Sequence, residues 1–123
     1  MGIFKLSFGT ITILQNNLAE VIVDEGIVMD DCSVAEFHKF IVNKLEAPCG
    51  LMVNKKYSYT YTFSAQKRIG VLKEIEHVAV VTQTSAGIMS TQTLLNVSGF
   101  IEETTRLFQD REEALIWLKK KLA

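Results

Sequence analysis

The chain has 123 residues, 48% of them hydrophobic and 22% charged, which suits one compact domain spanning residues 1–123 around one continuous core. Thirteen basic against fourteen acidic residues leave a net charge of -1, so no global field draws the chain to nucleic acid or to an anionic membrane. The cysteines, Cys32 and Cys49, are too few for a disulfide framework and are not spaced as a CxxC redox or metal pair; the reading is two reduced, partly buried thiols in a cytoplasmic protein.

The opening stretch MGIFKLSFGTITIL has apolar character but is broken by Lys5, Ser7, Gly9, Thr10 and Thr12, so neither a signal peptide nor a membrane span is expected. Residues 7–14 and 18–23 are β-branched runs separated by the polar QNN, which predicts a hairpin with an exposed edge at SFGTITIL. Val34, Phe37, Phe40, Ile41 and Leu45 recur at helical spacing, and Ser33 with Glu36 forms an S-x-x-E capping box, predicting a helix over 33–45. Pro48 and Gly50 end it, and GLMVN begins an apolar strand.

Next comes NKKYSYTYTFSAQKR at 54–68, where Tyr57, Tyr59, Tyr61 and Phe63 share one parity and cations flank both ends. Ala65, Ile69, Leu72 and Ile75 predict a second helix, with Ser64 as its cap, and HVAVVTQ at 77–83 predicts a strand covered on both faces. Thr84 or Ser85 can cap a third helix through Ile88, Met89, Leu94 and Leu95 that ends near Gly99. TTRLFQ at 104–109 is the last strand. DREEALIWLKKKL is the last helix, with Asp110 as cap, Lys119 to Lys121 in the final turn and an apolar face of Leu115, Leu118 and Leu122. The order is ββαβαβαβα, an α/β fold in which an antiparallel hairpin feeds right-handed crossovers of a mixed sheet with about five strands and four helices.

That order, with LLNVSGF at 94–100, RLFQDREEALIWL at 106–118 and QKRIGVL at 66–72, resembles the STAS domain of anti-sigma-factor antagonists, the SpoIIAA-like fold, and most closely its uncharacterised bacterial branch. The resemblance spans residues 10–122. It implies a non-catalytic regulatory or protein-interaction module that meets its partner at the turn following the third strand. In the antagonists that turn carries Asp-Ser-Ser/Thr-Gly with a phosphorylated serine; the matching stretch here is Phe63-Ser64-Ala65-Gln66, which lacks the aspartate and glycine and leaves Ser64 as the hydroxyl the resemblance offers as phosphoacceptor.

The residues themselves leave several readings open for this stretch. Tyr57, Tyr59, Tyr61 and Phe63, with Ser85 at the neighbouring turn, can form an interaction surface or the rim of a pocket for a small apolar, lipid-like ligand. Stacking of single-stranded nucleic acid is disfavoured by the net charge and the lack of a repeated basic patch. Pairing of the SFGTITIL edge across a two-fold axis would give a homodimer. No cofactor motif, catalytic elbow or metal-ligand spacing is present: His38 and His77 are unrelated, and Asp24, Glu25, Asp30 and Asp31 read as solvated charge and capping.

Overall fold

A computed structural model describes residues 2–82 and 105–123 of the chain. The described elements are β1 (Gly2–Leu6), β2 (Gly9–Gln15), β3 (Leu18–Val23), β4 (Val28–Met29), α1 (Asp31–Lys44), β5 (Cys49–Asn54), β6 (Thr60–Tyr61), α2 (Phe63–Arg68), β7 (Ile75–Val81), β8 (Thr105–Phe108) and α3 (Arg111–Leu122). Six strands form one mixed sheet in the order β1-β2-β3-β5-β7-β8, and β4 with β6 makes a separate two-stranded ribbon. The α/β class and the mixed sheet agree with the sequence pattern. The expected third helix, with Ser85 and the LLNVSGF stretch, lies outside the described residues.

β1, β2 and β3 run antiparallel, whereas β3, β5, β7 and β8 are mutually parallel and added in one direction. Right-handed crossovers in such a series place the connecting helices on one face. Accordingly α1 and α2 cover one side of the sheet through Val34, Phe37, Ile41, Ala65 and Ile69. After β8 the chain turns to the opposite face, where Ala114 and Leu118 of α3 pack on Leu18, Met52, Ala79 and Val81. The central strands are buried on both faces, so β5 and residues 78–81 of β7 read as continuous apolar runs rather than alternating ones.

The N-terminal region departs from the expected hairpin. Residues 2–6 form a strand of their own, joined to β2 by a tight turn at Ser7 and Phe8. Gly9 starts β2 where a Cβ would stand 2.1 Å from the Ile22 carbonyl oxygen, a gap only glycine tolerates. β2 is thus paired on both sides, and the SFGTITIL stretch is not a sheet edge; β1 takes that position.

The cap of α1 is Asp30 rather than Ser33. Asp30 Oδ1 accepts from the Ser33 N–H at 2.9 Å and from its hydroxyl at 3.0 Å, so the helix begins at Asp31, two residues earlier than the capping box suggests. Glu36 instead accepts from the Ser7 backbone N–H and hydroxyl, tying α1 to the β1–β2 turn. α2 is likewise capped one position outside its first residue, by Thr62, whose hydroxyl accepts from the Ala65 N–H at 3.2 Å; Ser64 is within the first turn and is not the cap. The helix stops at Arg68, and Gly70 follows it, so Leu72 and Ile75 fall in a turn and in β7 instead of continuing the helix. The last helix keeps its expected cap, Asp110; of the expected face Leu118 is buried and Leu115 and Leu122 are partly buried, and Ala114, outside that face, is the other buried position.

Candidate functional site

β3, β5 and β7 all end on the same side of the sheet, at Val23, Asn54 and Val81. Open α/β sheets bind ligands outside these carboxyl ends. Here the space is roofed by the β4–β6 ribbon, in which Val28 pairs with Thr60 and Met29 with Tyr61. The pleat turns Met29 and Tyr61 inward and leaves Val28 and Thr60 outside. The ribbon is fixed by Thr60 N–H to Ile27 O at 3.0 Å and Thr62 N–H to Met29 O at 2.9 Å. The preceding loop is held by Gly26 N–H to Ser58 O at 2.8 Å, Gly26 standing at φ +78°.

Beneath the ribbon lies an apolar cavity of about 30 Å³, lined among others by Val23, Met29, Phe37, Val53, Tyr59 and Tyr61. Its partly exposed lining residues are Val53, Lys55, Tyr59 and Tyr61, which places its mouth at the aromatic stretch. The two tyrosine rings meet edge to face at 5.5 Å, and their hydroxyls stand 3.4 Å apart. Both residues are partly exposed overall, yet burial pushes both phenols above the ordinary value of 10.0, Tyr59 well above it. The Lys55 ammonium lies 5.2 Å from the Tyr59 ring centre, and burial lowers its pKa.

The four aromatics that share a parity in the sequence divide in the structure. Tyr59 and Tyr61 turn into the cavity; Tyr57 and Phe63 stay outside, 41% and 68% exposed. Each outer ring carries a cation, Lys56 at 5.5 Å from Tyr57 and Lys67 at 4.4 Å from Phe63. The division follows from the ribbon, which is extended only at Thr60 and Tyr61, so alternation does not run the length of the stretch. Ser64 donates its hydroxyl to Asp31 Oδ2 at 3.1 Å, and Arg68 reaches the other oxygen of Asp31 at 3.8 Å, linking the start of α1 to both ends of the short α2.

On the opposite face of the same end, Glu20 is buried in β3 and accepts two hydrogen bonds from Arg111, at 3.0 and 2.8 Å, and one from Asn54 at 3.0 Å. Burial alone would raise this carboxyl; the bonds from Arg111 and Asn54 and the Arg111 charge outweigh it and hold the group below 4.5. The pair anchors the start of α3 to the sheet. Its sequence signal is the single carboxylate within the apolar run LAEVIV, a position that requires a buried partner.

Cys32 is exposed, whereas His38, His77 and Cys49 lie against packed elements. His38 Nε2 lies 3.0 Å from the Ile69 carbonyl and joins α1 to α2, while His77 meets the edge of Trp117 at 5.9 Å. Cys49 is fully buried, and burial with the Glu74 charge pushes its thiol up to about 11, the opposite of nucleophilic activation. Among the described residues no three His, Cys, Asp or Glu side chains converge as a metal site, and no helix is long and apolar enough to cross a membrane. Comparison with protein-family models, with curated proteins and with solved structures finds no significant match to this chain.

Proposed function

We propose that the protein is a non-catalytic protein-interaction or regulatory module, as the resemblance to the anti-sigma-factor antagonists implies, and that it binds its partner at the carboxyl end of the sheet. One observation carries the reading: Tyr57 and Phe63 stand exposed on either side of the β6 strand, whose Tyr61 lines an apolar cavity. Exposed rings that flank a partly dry pocket are the usual anchors of protein interfaces. Phosphorylation of Ser64 would regulate this surface, since a phosphate there replaces a hydrogen bond to Asp31 with like-charge repulsion beside Arg68.

Capture of partners from the native host lysate by the wild-type protein and by a Tyr57→Ser/Phe63→Ser variant tests the reading. Loss of a specific partner from the variant is the expected result, and retention of every partner overturns it.

The second reading, carriage of a small apolar ligand, draws on the same cavity. Its volume of about 30 Å³ compares with about 150 Å³ for an engineered apolar cavity that takes up benzene, so a lipid-like guest requires Tyr59 and Tyr61 to swing outward. Native mass spectrometry of freshly purified protein distinguishes the two, because a carried ligand adds mass.

A further inference from the structure

β1 ends the six-stranded sheet, and among the described residues no strand lies on its outer side. The direction of its backbone groups follows from its neighbours. The Phe8 carbonyl accepts from the Asp24 N–H at 2.9 Å, so Phe8, and in alternation Thr10 and Thr12, turn their backbone groups to β3. Gly9, Ile11 and Ile13 therefore bond Leu6, Phe4 and Gly2, and the N–H and C=O groups of Ile3 and Lys5 point outward. β1 has no proline or bulge to blunt this edge, and its one charge is Lys5.

We propose that β1 pairs with β1 of a second copy of the chain, antiparallel about a two-fold axis through Phe4. That register sets Gly2 opposite Leu6, Ile3 opposite Lys5, and Phe4 opposite Phe4 of the second copy. Each Ile3–Lys5 pair exchanges both of its hydrogen bonds, so the outward groups of both residues are satisfied. A seam shifted two residues toward the turn would instead set Lys5 against Lys5, a like-charge pair.

The side chains fit the same register. Phe4 lies on the α1 face, its ring meeting that of Phe40 edge to face at 5.2 Å, and the pleat puts Gly2 and Leu6 on that face too. Beside the bare Gly2 is an open groove of about 270 Å³, bordered by Phe4, Ile13, Lys44 and Glu46. Leu6 of the second copy stands opposite Gly2 and fills its apolar part, while the two Phe4 rings meet as a cross-strand aromatic pair.

The charges fit as well. α1 runs antiparallel to β1 along this edge: Glu36 binds the Ser7 turn, Phe40 covers Phe4, and the Lys44 ammonium stands 5.4 Å from the Phe4 ring centre and borders the groove at Gly2. The two-fold axis reverses that series, bringing Glu36 of one copy to the end where Lys44 of the other stands. Lys5 and Lys44 balance Glu36 and Glu46 in each copy, so no net repulsion opposes association. A second copy fits better than a foreign strand because one short segment supplies both halves of each match. The inference does not depend on the interaction reading above; the dimer would present that surface twice, at opposite ends of a continuous sheet.

Sedimentation velocity over a dilution series is the test, with circular dichroism as the check of folding. Wild-type protein should pass from monomer to dimer as concentration rises. Ile3→Pro removes an outward N–H and leaves the β1–β2 bonds in place. Lys44→Glu, at an exposed position of α1, sets a carboxylate against Glu36 of the second copy. Each variant should keep the wild-type spectrum and weaken the dimer about tenfold. If Ile3→Pro fails to fold, Lys44→Glu carries the test alone. A monomer at every concentration overturns the proposal, as does a dimer that either folded variant leaves unchanged. So does an extended segment of another protein bound along β1 of a chain that stays monomeric.

Discussion

Replacing Arg111 by alanine should cost about 2 kcal/mol of stability at neutral pH. The figure lies between two limits: breaking a fully buried pair costs about 3–5 kcal/mol, and an exposed pair contributes about 0–1 kcal/mol. The Glu20 side chain is 9% exposed and that of Arg111 is 39%, so the carboxylate left behind is desolvated while the arginine was partly screened. For a chain of this size that loss lowers Tm by about 8 °C. The loss must also depend on pH. In the wild type Glu20 titrates below 4.5, so its contribution is fully present above its unfolded value and is lost as pH falls through the lower folded value. In the variant, burial loses its main opposition and Glu20 becomes easier to protonate. Urea unfolding of both proteins at neutral pH and at acid pH reads the effect, with the gap between them closing in acid. A loss below about 0.5 kcal/mol, or one independent of pH, would refute the role given to this pair.

Three further outcomes check the fold and the cavity. Leu118→Ala, at a fully buried position under α3, should lose about 2–5 kcal/mol by urea unfolding while keeping the overall secondary structure by circular dichroism. A thiol-specific disulfide reagent should modify exposed Cys32 rapidly in the native protein and buried Cys49 only after denaturation. In ultraviolet titration, Tyr59→Phe and Tyr61→Phe should each remove a component that ionises above the ordinary value of 10.0. Because those neutral phenols favour the folded state, stability should decline as pH rises past that value toward their folded ones.

Much of this architecture is legible in the sequence where local chemistry and burial agree. The periodic Val34, Phe37 and Ile41 face, the Asp110 cap and the apolar runs of β5 and β7 all act over a few residues, and the structure keeps them. Misplaced boundaries arise where two residues compete for one role. Asp30 outcompetes Ser33 as a cap because it presents a charged acceptor, and Thr62 precedes Ser64 because the chain turns two residues earlier. β4 and β6 are each two residues long and exist only because they pair across some thirty residues of chain, so no local pattern announces them. The same pairing decides which tyrosines face the cavity. The aromatic stretch was visible as a candidate, but the separation of Tyr59 and Tyr61 from Tyr57 and Phe63 belongs to the tertiary fold.

Site-specific photocrosslinking tests the central claim most directly. A benzophenone side chain in place of Phe63 samples the carboxyl-end surface, and the same group in place of Ile116 samples α3 on the opposite face; the two positions are similarly exposed, at 68% and 65%. A discrete partner adduct from position 63 and none from position 116 is the expected result. An adduct from position 116 alone, or none from either in a lysate that contains a captured partner, would contradict it.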